Sequence, residues 1–313
     1  MPRYLVTGGA GFIGSHTVDA LVAQGHQVRV IDDLSSGKEQ NLAHLGGKVE
    51  FIKADIRDRK AVAKAMAGIE YVIHAAAWRS VPKSMSDAYG YTDVNVLATV
   101  ALLNEATKVK VKRFVCVSSS SVYGDAKTMP LREDMPTLPI SPYAASKLID
   151  EVLCGLYARG FGLETACVRY FNVFGPRQSL ENDYAVVIPK FIVSLMRKES
   201  PPVYGDGKQS RDFTYVDNVV EGTIKASQAP GVSGEVFNIA LGEEHTGLDL
   251  LNEINTIMGL SIAPAFKPPR PGDVLRTFAD TSKAKRLLGF QGSVRFGEGL
   301  RRTVEWFRKN PPS

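Results

Sequence analysis

Apolar residues follow two alternating rhythms through the first half of the chain. Short apolar-rich runs at 4–6, 28–31, 49–52, 71–73, 113–117 and 164–168 read as strands of a sheet covered on both faces. Between them the apolar positions fall on one helical face, as at Ile13, Val18, Leu21 and Val22 ahead of Gly25, and helices are predicted at about 61–66, 93–107 and 143–158. Such alternation means parallel strands joined by crossover helices, so the expected fold class is α/β with a doubly wound parallel sheet. Sheets of this class take ligands at the carboxyl ends of their strands.

After about residue 170 the texture changes. Proline and glycine become frequent (Gly175-Pro176, Pro201-Pro202, Gly205-Asp206-Gly207, Pro268-Pro269, Pro271-Gly272), the elements shorten, and an apolar strand pattern returns once, at 236–240. The expected organisation is a sheet domain over 1–169 with a return to it at about 214–245, and a smaller mixed lobe over 170–213 and 246–313.

The chain has 313 residues, more than a typical single core needs, which agrees with two lobes. A hydrophobic content of 44% and a mean hydropathy of -0.08 describe a globular protein. With no long apolar run and a first strand close to Met1, neither a membrane partner nor a leader is expected. Cys116, Cys154 and Cys167 lie far apart without metal-ligand spacing, so no metal and a reducing, cytoplasmic setting are expected. The formal charge is +5, but Lys108, Lys110, Lys112 and Arg113 form no block interleaved with aromatics. No nucleic-acid partner is expected; a positive cleft suits a small diphosphate equally well.

Two motifs carry the chemistry. The first is Thr7-Gly8-Gly9-Ala10-Gly11-Phe12-Ile13-Gly14, set between the first strand and the first helix. That context lets the backbone turn tightly and meet a pyrophosphate with a helix N-terminus, the fingerprint of a dinucleotide-binding (Rossmann) sheet. Asp32 and Asp33 end the second strand; an acidic side chain there accepts from ribose hydroxyls and repels a 2′-phosphate, which favours NAD over NADP.

The second motif is Tyr143-Ala144-Ala145-Ser146-Lys147, preceded by the serine run at 118–121. A tyrosine with an ordinary pKa of about 10 is a poor base at neutral pH. Lys147, four residues on, shares its helical face, and an ammonium there favours the phenolate. Ser119 or Ser120 can bridge the tyrosine and a substrate oxygen. Taken singly, such pairs and serine runs are ordinary surface features; behind a dinucleotide-binding sheet they point together to hydride chemistry on an alcohol. Further segments fall at strand ends: Asp55-Ile56, Ala75-Ala76-Ala77 and Tyr170-Phe171-Asn172.

These segments, with Ser141 to Lys147, Arg169 to Arg177, Gly205 to Phe213 and Arg270 to Val274, resemble the extended short-chain dehydrogenase/reductase superfamily over nearly the whole chain. Within it the chain is most similar to nucleotide-sugar 4-epimerases of the UDP-galactose and UDP-N-acetylglucosamine type. The resemblance implies an isomerase with tightly held NAD and a UDP-sugar substrate, working through a transient 4-ketopyranose that turns about its diphosphate link, and it implies a homodimer. Tyr143 would be base and then acid, Lys147 its partner, and Ser119 and Ser120 the hydroxyls near the sugar's 4-oxygen. Asp32 would hold the adenosine ribose, Asp55 and Ile56 the adenine, and Ala75, Ala76, Ala77 and Tyr170 would line the cofactor's path. Asn95 would order the active-site helix and the cofactor, and Arg79 would approach the pyrophosphate.

On the substrate side the resemblance implies Asn172, Val203, Tyr204, Arg211, Arg270 and Asp273 around UDP, and Ser80, Val81 and Thr277 around the sugar. Enzymes of this group restricted to unmodified hexoses carry a tyrosine where this chain has Thr277, so UDP-N-acetylglucosamine is the expected substrate. UDP-glucose/UDP-galactose exchange stands second and UDP-glucuronate epimerisation third. Related dehydratases and decarboxylases carry acidic residues in place of Ser120 and Ser121, which argues against those reactions. A non-catalytic or RNA-associated member is the reading from another class, opposed by the complete serine, tyrosine and lysine set.

Overall fold

The structure is a computed structural model that describes residues 1–180, 187–269 and 274–312. Its main sheet contains β1 (Arg3–Thr7), β2 (Gln27–Asp32), β3 (Val49–Lys53), β4 (Tyr71–His74), β5 (Arg113–Ser119), β6 (Thr165–Tyr170) and the strand Glu235–Ile239. All neighbours are parallel, in the order Glu235–Ile239, β6, β5, β4, β1, β2, β3. The reversal of winding falls between β1 and β4, and the glycine loop leaves the sheet there.

Both faces of the sheet are buried, so apolar residues dominate its strands instead of alternating with polar ones. Tyr4, Val6, Val30, Val115 and Val168 point into one core, and Leu5, Ile31, Val72, Phe114 and Cys116 into the other. The first face is covered by α1 (Phe12–Ala23) and the helix Val216–Gln228. The second is covered by α2 (Arg59–Met66), by α5 (Ala98–Lys108), and by α6 (Pro142–Gly160). Two short helices, α3 (Val81–Ser86) and α4 (Ala88–Tyr91), lead into α5.

Local chemistry sets the helix ends. The Asp58 carboxylate accepts from the backbone of Lys60 and Ala61 to start α2, and Ser141 accepts from Ala144 N, with Pro142 in the first turn, to start α6. The C-terminal residues carry the same logic: Thr246 and Asp249 form a reciprocal capping box, and that helix ends at Gly259 in the left-handed region.

Two features differ from the sequence reading. The helix expected at 93–107 begins at Ala88 and passes through a π-helical turn over Thr92–Leu97 before α5. The cysteines, far apart in sequence, converge: Cys116 and Cys167 are register partners on β5 and β6, Cys154 reaches them from α6, and the three sulfurs lie within 4.8 Å of one another as buried free thiols. Cross-strand register, invisible in sequence spacing, gathers them.

Candidate active site

The glycine loop is built for close approach. Gly8 has φ +69°, and a Cβ there would stand 2.8 Å from the Ala76 backbone; a Cβ at Gly14 would run into Gly8 O. α1 starts at Gly11 with no side-chain cap, so its first N–H groups face the cleft. An uncapped helix start over a side-chain-free turn fits a pyrophosphate.

In front of this loop lies a cavity of about 730 Å³, of a size that suits a dinucleotide. It is lined by Gly8, Gly11, Phe12, Ile13, Gly14, Asp32, Asp33, Asp55, Ile56, Ala75, Ala76, Ala77, Arg79 and Tyr170, all named from the sequence as cofactor residues. Asp32 is nearly buried, and its carboxylate accepts from Ala10 N (2.9 Å) and Leu34 N (2.8 Å). Burial pushes its pKa up while these two N–H groups oppose the shift. Asp32 thus ties the glycine loop to the end of β2 and lines the cavity. Asp55 is paired with Arg57 Nη2 at 2.6 Å; this hydrogen bond holds the carboxyl below its ordinary pKa, and the Tyr170 hydroxyl lies 2.5 Å from Thr223 Oγ1.

Sequence reasoning missed several walls of the cavity: Lys38, Gln40 and Asn41 from the loop after β2, 177–180 after the strand Asn172–Phe174, and Trp306, Asn310, Pro311 and Pro312 at the C-terminal end. The polar run Ser35-Ser36-Gly37-Lys38 beside Asp32-Asp33 is the one local signal for any of these. The others arrive by tertiary contact: His16 Nε2 meets Pro176 O at 3.0 Å, and Arg177 pairs with Asp19 at 2.8 Å.

Tyr143, Lys147, Ser119, Ser120 and Asn95 are outside the lining of this cavity. Tyr143 is half-buried on the first turn of α6, edge-on to Tyr91 at 6.5 Å. Ser119 and Ser120 are half-buried; Ser119 is the last residue of β5 and Ser120 the first after it. Ser119 Oγ accepts from Ser121 N (3.2 Å) and Ser121 Oγ (3.0 Å) and so keeps its own hydrogen to donate, whereas Ser118 Oγ is committed to Glu151 at 2.5 Å.

Lys147 is buried, and its Nζ donates to Asp150 Oδ2 at 3.1 Å. Burial works against its charge, but Asp150, Cys116 and Tyr143 outweigh that penalty and raise its pKa. Asn95 is fully buried: Oδ1 accepts from Trp78 N (2.8 Å), while Nδ2 donates to Trp78 O and Ser146 Oγ (3.0 Å each). Its amide is thus bonded to protein on both sides and ties α6 to Trp78. The π-helical turn around Asn95 presents the amide toward both.

Of the substrate residues, Asn172, Arg211 and Thr277 converge. Thr277 stands opposite Arg211 between two short strands, and Asn172 N donates to Asp212 O at 3.1 Å. Arg211 Nη1 donates to Ser210 O at 2.8 Å. Val203 is buried and Tyr204 half-buried on the strand Pro202–Tyr204. Ser80 caps α3 through Lys83 N at 3.3 Å, and Val81 is exposed beside it. Arg270 and Asp273 lie outside the described residues.

The model of the NAD dependent epimerase/dehydratase family matches residues 4–240. The chain belongs to this family. It is similar to the UDP-glucose 4-epimerase of Mycolicibacterium smegmatis, with 40% identity and 98% of each chain covered. Among solved structures it resembles the UDP-N-acetylglucosamine 4-epimerase of Methanobrevibacter ruminantium, with 39% identity, a TM-score of 0.94 and 99% of each chain covered. It also resembles the UDP-glucose 4-epimerase of Thermus thermophilus, solved with NAD, with 35% identity and a TM-score of 0.89 over 98% of this chain and 99% of that one. The cofactor of the chain is NAD, and the glycine cradle and cavity fit it.

Proposed function

We propose that this protein, an NAD-dependent UDP-sugar 4-epimerase, acts best on UDP-N-acetylglucosamine and UDP-N-acetylgalactosamine. The observation that carries the choice of sugar is Thr277. It is small and stands opposite Arg211, where the resemblance puts the wall of the sugar pocket, so a threonine leaves space for an acetamido substituent that a tyrosine would fill. Named relatives include enzymes of both sugar types, so the preference rests on this residue.

In this reading Tyr143 takes the proton from the sugar's 4-hydroxyl and returns it after the ring has turned, with Ser119 donating to the 4-oxygen. Lys147 keeps positive charge beside the tyrosine, which favours the phenolate. When bound, NAD supplies the hydride acceptor and donor, so no net oxidation occurs. Arg211, with Arg270 by resemblance, grips the diphosphate through its guanidinium while the sugar moves. The two carboxylates on α6, Asp150 and Glu151, are buried in ion pairs with Lys147 and Arg169, so neither is the exposed acid/base group that dehydratase or decarboxylase chemistry calls for. A homodimer is part of the reading: Leu97, at the end of the π-helical turn, and Ile149, Val152 and Leu156 of α6 are exposed apolar residues.

The test is Thr277→Tyr. Overfilling costs about 1–3 kcal/mol, so turnover of the acetylated pair should fall at least about fivefold relative to UDP-glucose. Equal loss on both pairs, or a wild type confined to unmodified hexoses, would remove the argument.

A further inference from the structure

Asp150 has no part in the mechanism as derived so far. It sits in the middle of α6, where it caps nothing, and it is fully buried. Its Oδ2 accepts from Lys147 Nζ at 3.1 Å, while its Oδ1 has no hydrogen-bond partner. The nearby Thr99 hydroxyl donates to Asn95 O instead. An unpartnered buried carboxylate oxygen is costly, and a buried ion pair is rarely worth more to stability than apolar side chains of the same size. Stability alone therefore gives no account of a carboxylate here.

The charged and titratable groups around it are few. Lys147 and, behind it, Tyr143 come from its own helix, the Cys116 thiol faces it from β5, and Thr99 comes from α5 backed by His74 of β4. His74 Nε2 lies 2.8 Å from Thr99 Oγ1 and its Nδ1 2.7 Å from Thr7 Oγ1. Because the Thr99 hydroxyl gives its hydrogen to Asn95 O, it accepts from His74 Nε2–H, which leaves Nδ1 to accept from the Thr7 hydroxyl. Burial lowers the pKa of His74 to about 4, so it stays neutral in the working range and supplies no charge to the site.

We propose that Asp150 is a positioning residue for catalysis: its carboxylate holds the Lys147 ammonium in place below Tyr143 and sets the net charge that the tyrosine experiences. The inference rests on Tyr143 as the base. A negative charge in this pocket raises the proton affinity of every group that senses it. Asp150 therefore keeps Lys147 protonated in a site where burial would otherwise neutralise it. It also offsets part of the Lys147 charge that Tyr143 faces, so that the same hydroxyl can serve as base and then as acid. Burial pushes the Asp150 carboxyl up, while the Lys147 ammonium 3.1 Å away pulls it back toward the charged form.

The experiment is the pH profile of kcat for UDP-sugar epimerisation by the NAD-loaded enzyme, wild type against Asp150→Asn, which keeps shape and removes charge. Both limbs of the variant's profile should move to lower pH by about one unit or more, because removing a negative charge from the pocket lowers the proton affinity of the groups that sense it. Asp150→Ser, which removes the same charge with a smaller side chain, should displace the limbs in the same direction. Superimposed limbs, or a uniform loss of kcat with limbs unmoved, would overturn the proposal, since a purely structural aspartate changes amplitude and not position. Tyr143→Phe separates this from the underlying reading: if that variant stays active the base assignment fails, whereas an inactive Tyr143→Phe beside an unshifted Asp150→Asn sinks only the role of Asp150.

Discussion

At the scale of single residues the account turns on which polar groups are spent on the fold and which stay available. Ser118 is spent on Glu151 and Asn95 on Trp78 and Ser146, while Ser119 keeps a hydrogen and Tyr143 is half-buried at the start of α6. Tyr143→Phe should fold normally, since the phenol hydroxyl anchors no described contact, and should lower kcat by about 10²- to 10⁴-fold. A folded variant with near-normal turnover would take tyrosine out of the mechanism. The sequence could name the tyrosine, lysine and serines because their types and spacing are local. It could not show that Lys147 is buried against Asp150, because an aspartate three residues along a helix looks like any exposed pair until the core closes over it.

At the scale of elements, the strand ends carry the site and the glycine turn shapes it. Gly14→Ala puts a Cβ into Gly8 O, which forces the loop and the start of α1 apart and removes the N–H cradle. The purified variant should retain far less NAD than the wild type, measured by releasing cofactor with denaturant; equal occupancy would contradict the cradle. The strands were legible because a parallel sheet buried on both faces demands apolar runs, as in β6, where all six residues are buried. The π-helical turn was not, because one extra residue per turn leaves no mark on a hydrophobic pattern. Nor were the cysteine cluster and the C-terminal wall at Asn310 to Pro312 legible, since each depends on packing between distant segments.

At the scale of the molecule, we take the chain as a sheet domain over 1–169 with a return at about 214–245, and a UDP-sugar lobe over 170–213 and 246–313. One core runs through both, from Val6 and Val168 of the sheet to Phe174, Phe213, Tyr215 and Phe296. In the proposed cycle a shared core of this kind would hold the nucleotide side rigid while the sugar turns beside Thr277. The glycine cradle lies at the switch point and would hold NAD there; in the proposed cycle the cofactor is regenerated, so the enzyme as purified is expected to need no added cofactor. The most direct measurement is to incubate it, without added NAD, separately with UDP-N-acetylglucosamine, UDP-glucose and UDP-glucuronate, and to follow the axial 4-epimer of each by NMR. The account predicts the 4-epimer of the acetylated sugar at the highest rate, reaching equilibrium with no oxidised product accumulating. Turnover of UDP-glucose or UDP-glucuronate alone, or dependence on stoichiometric NAD, would contradict it.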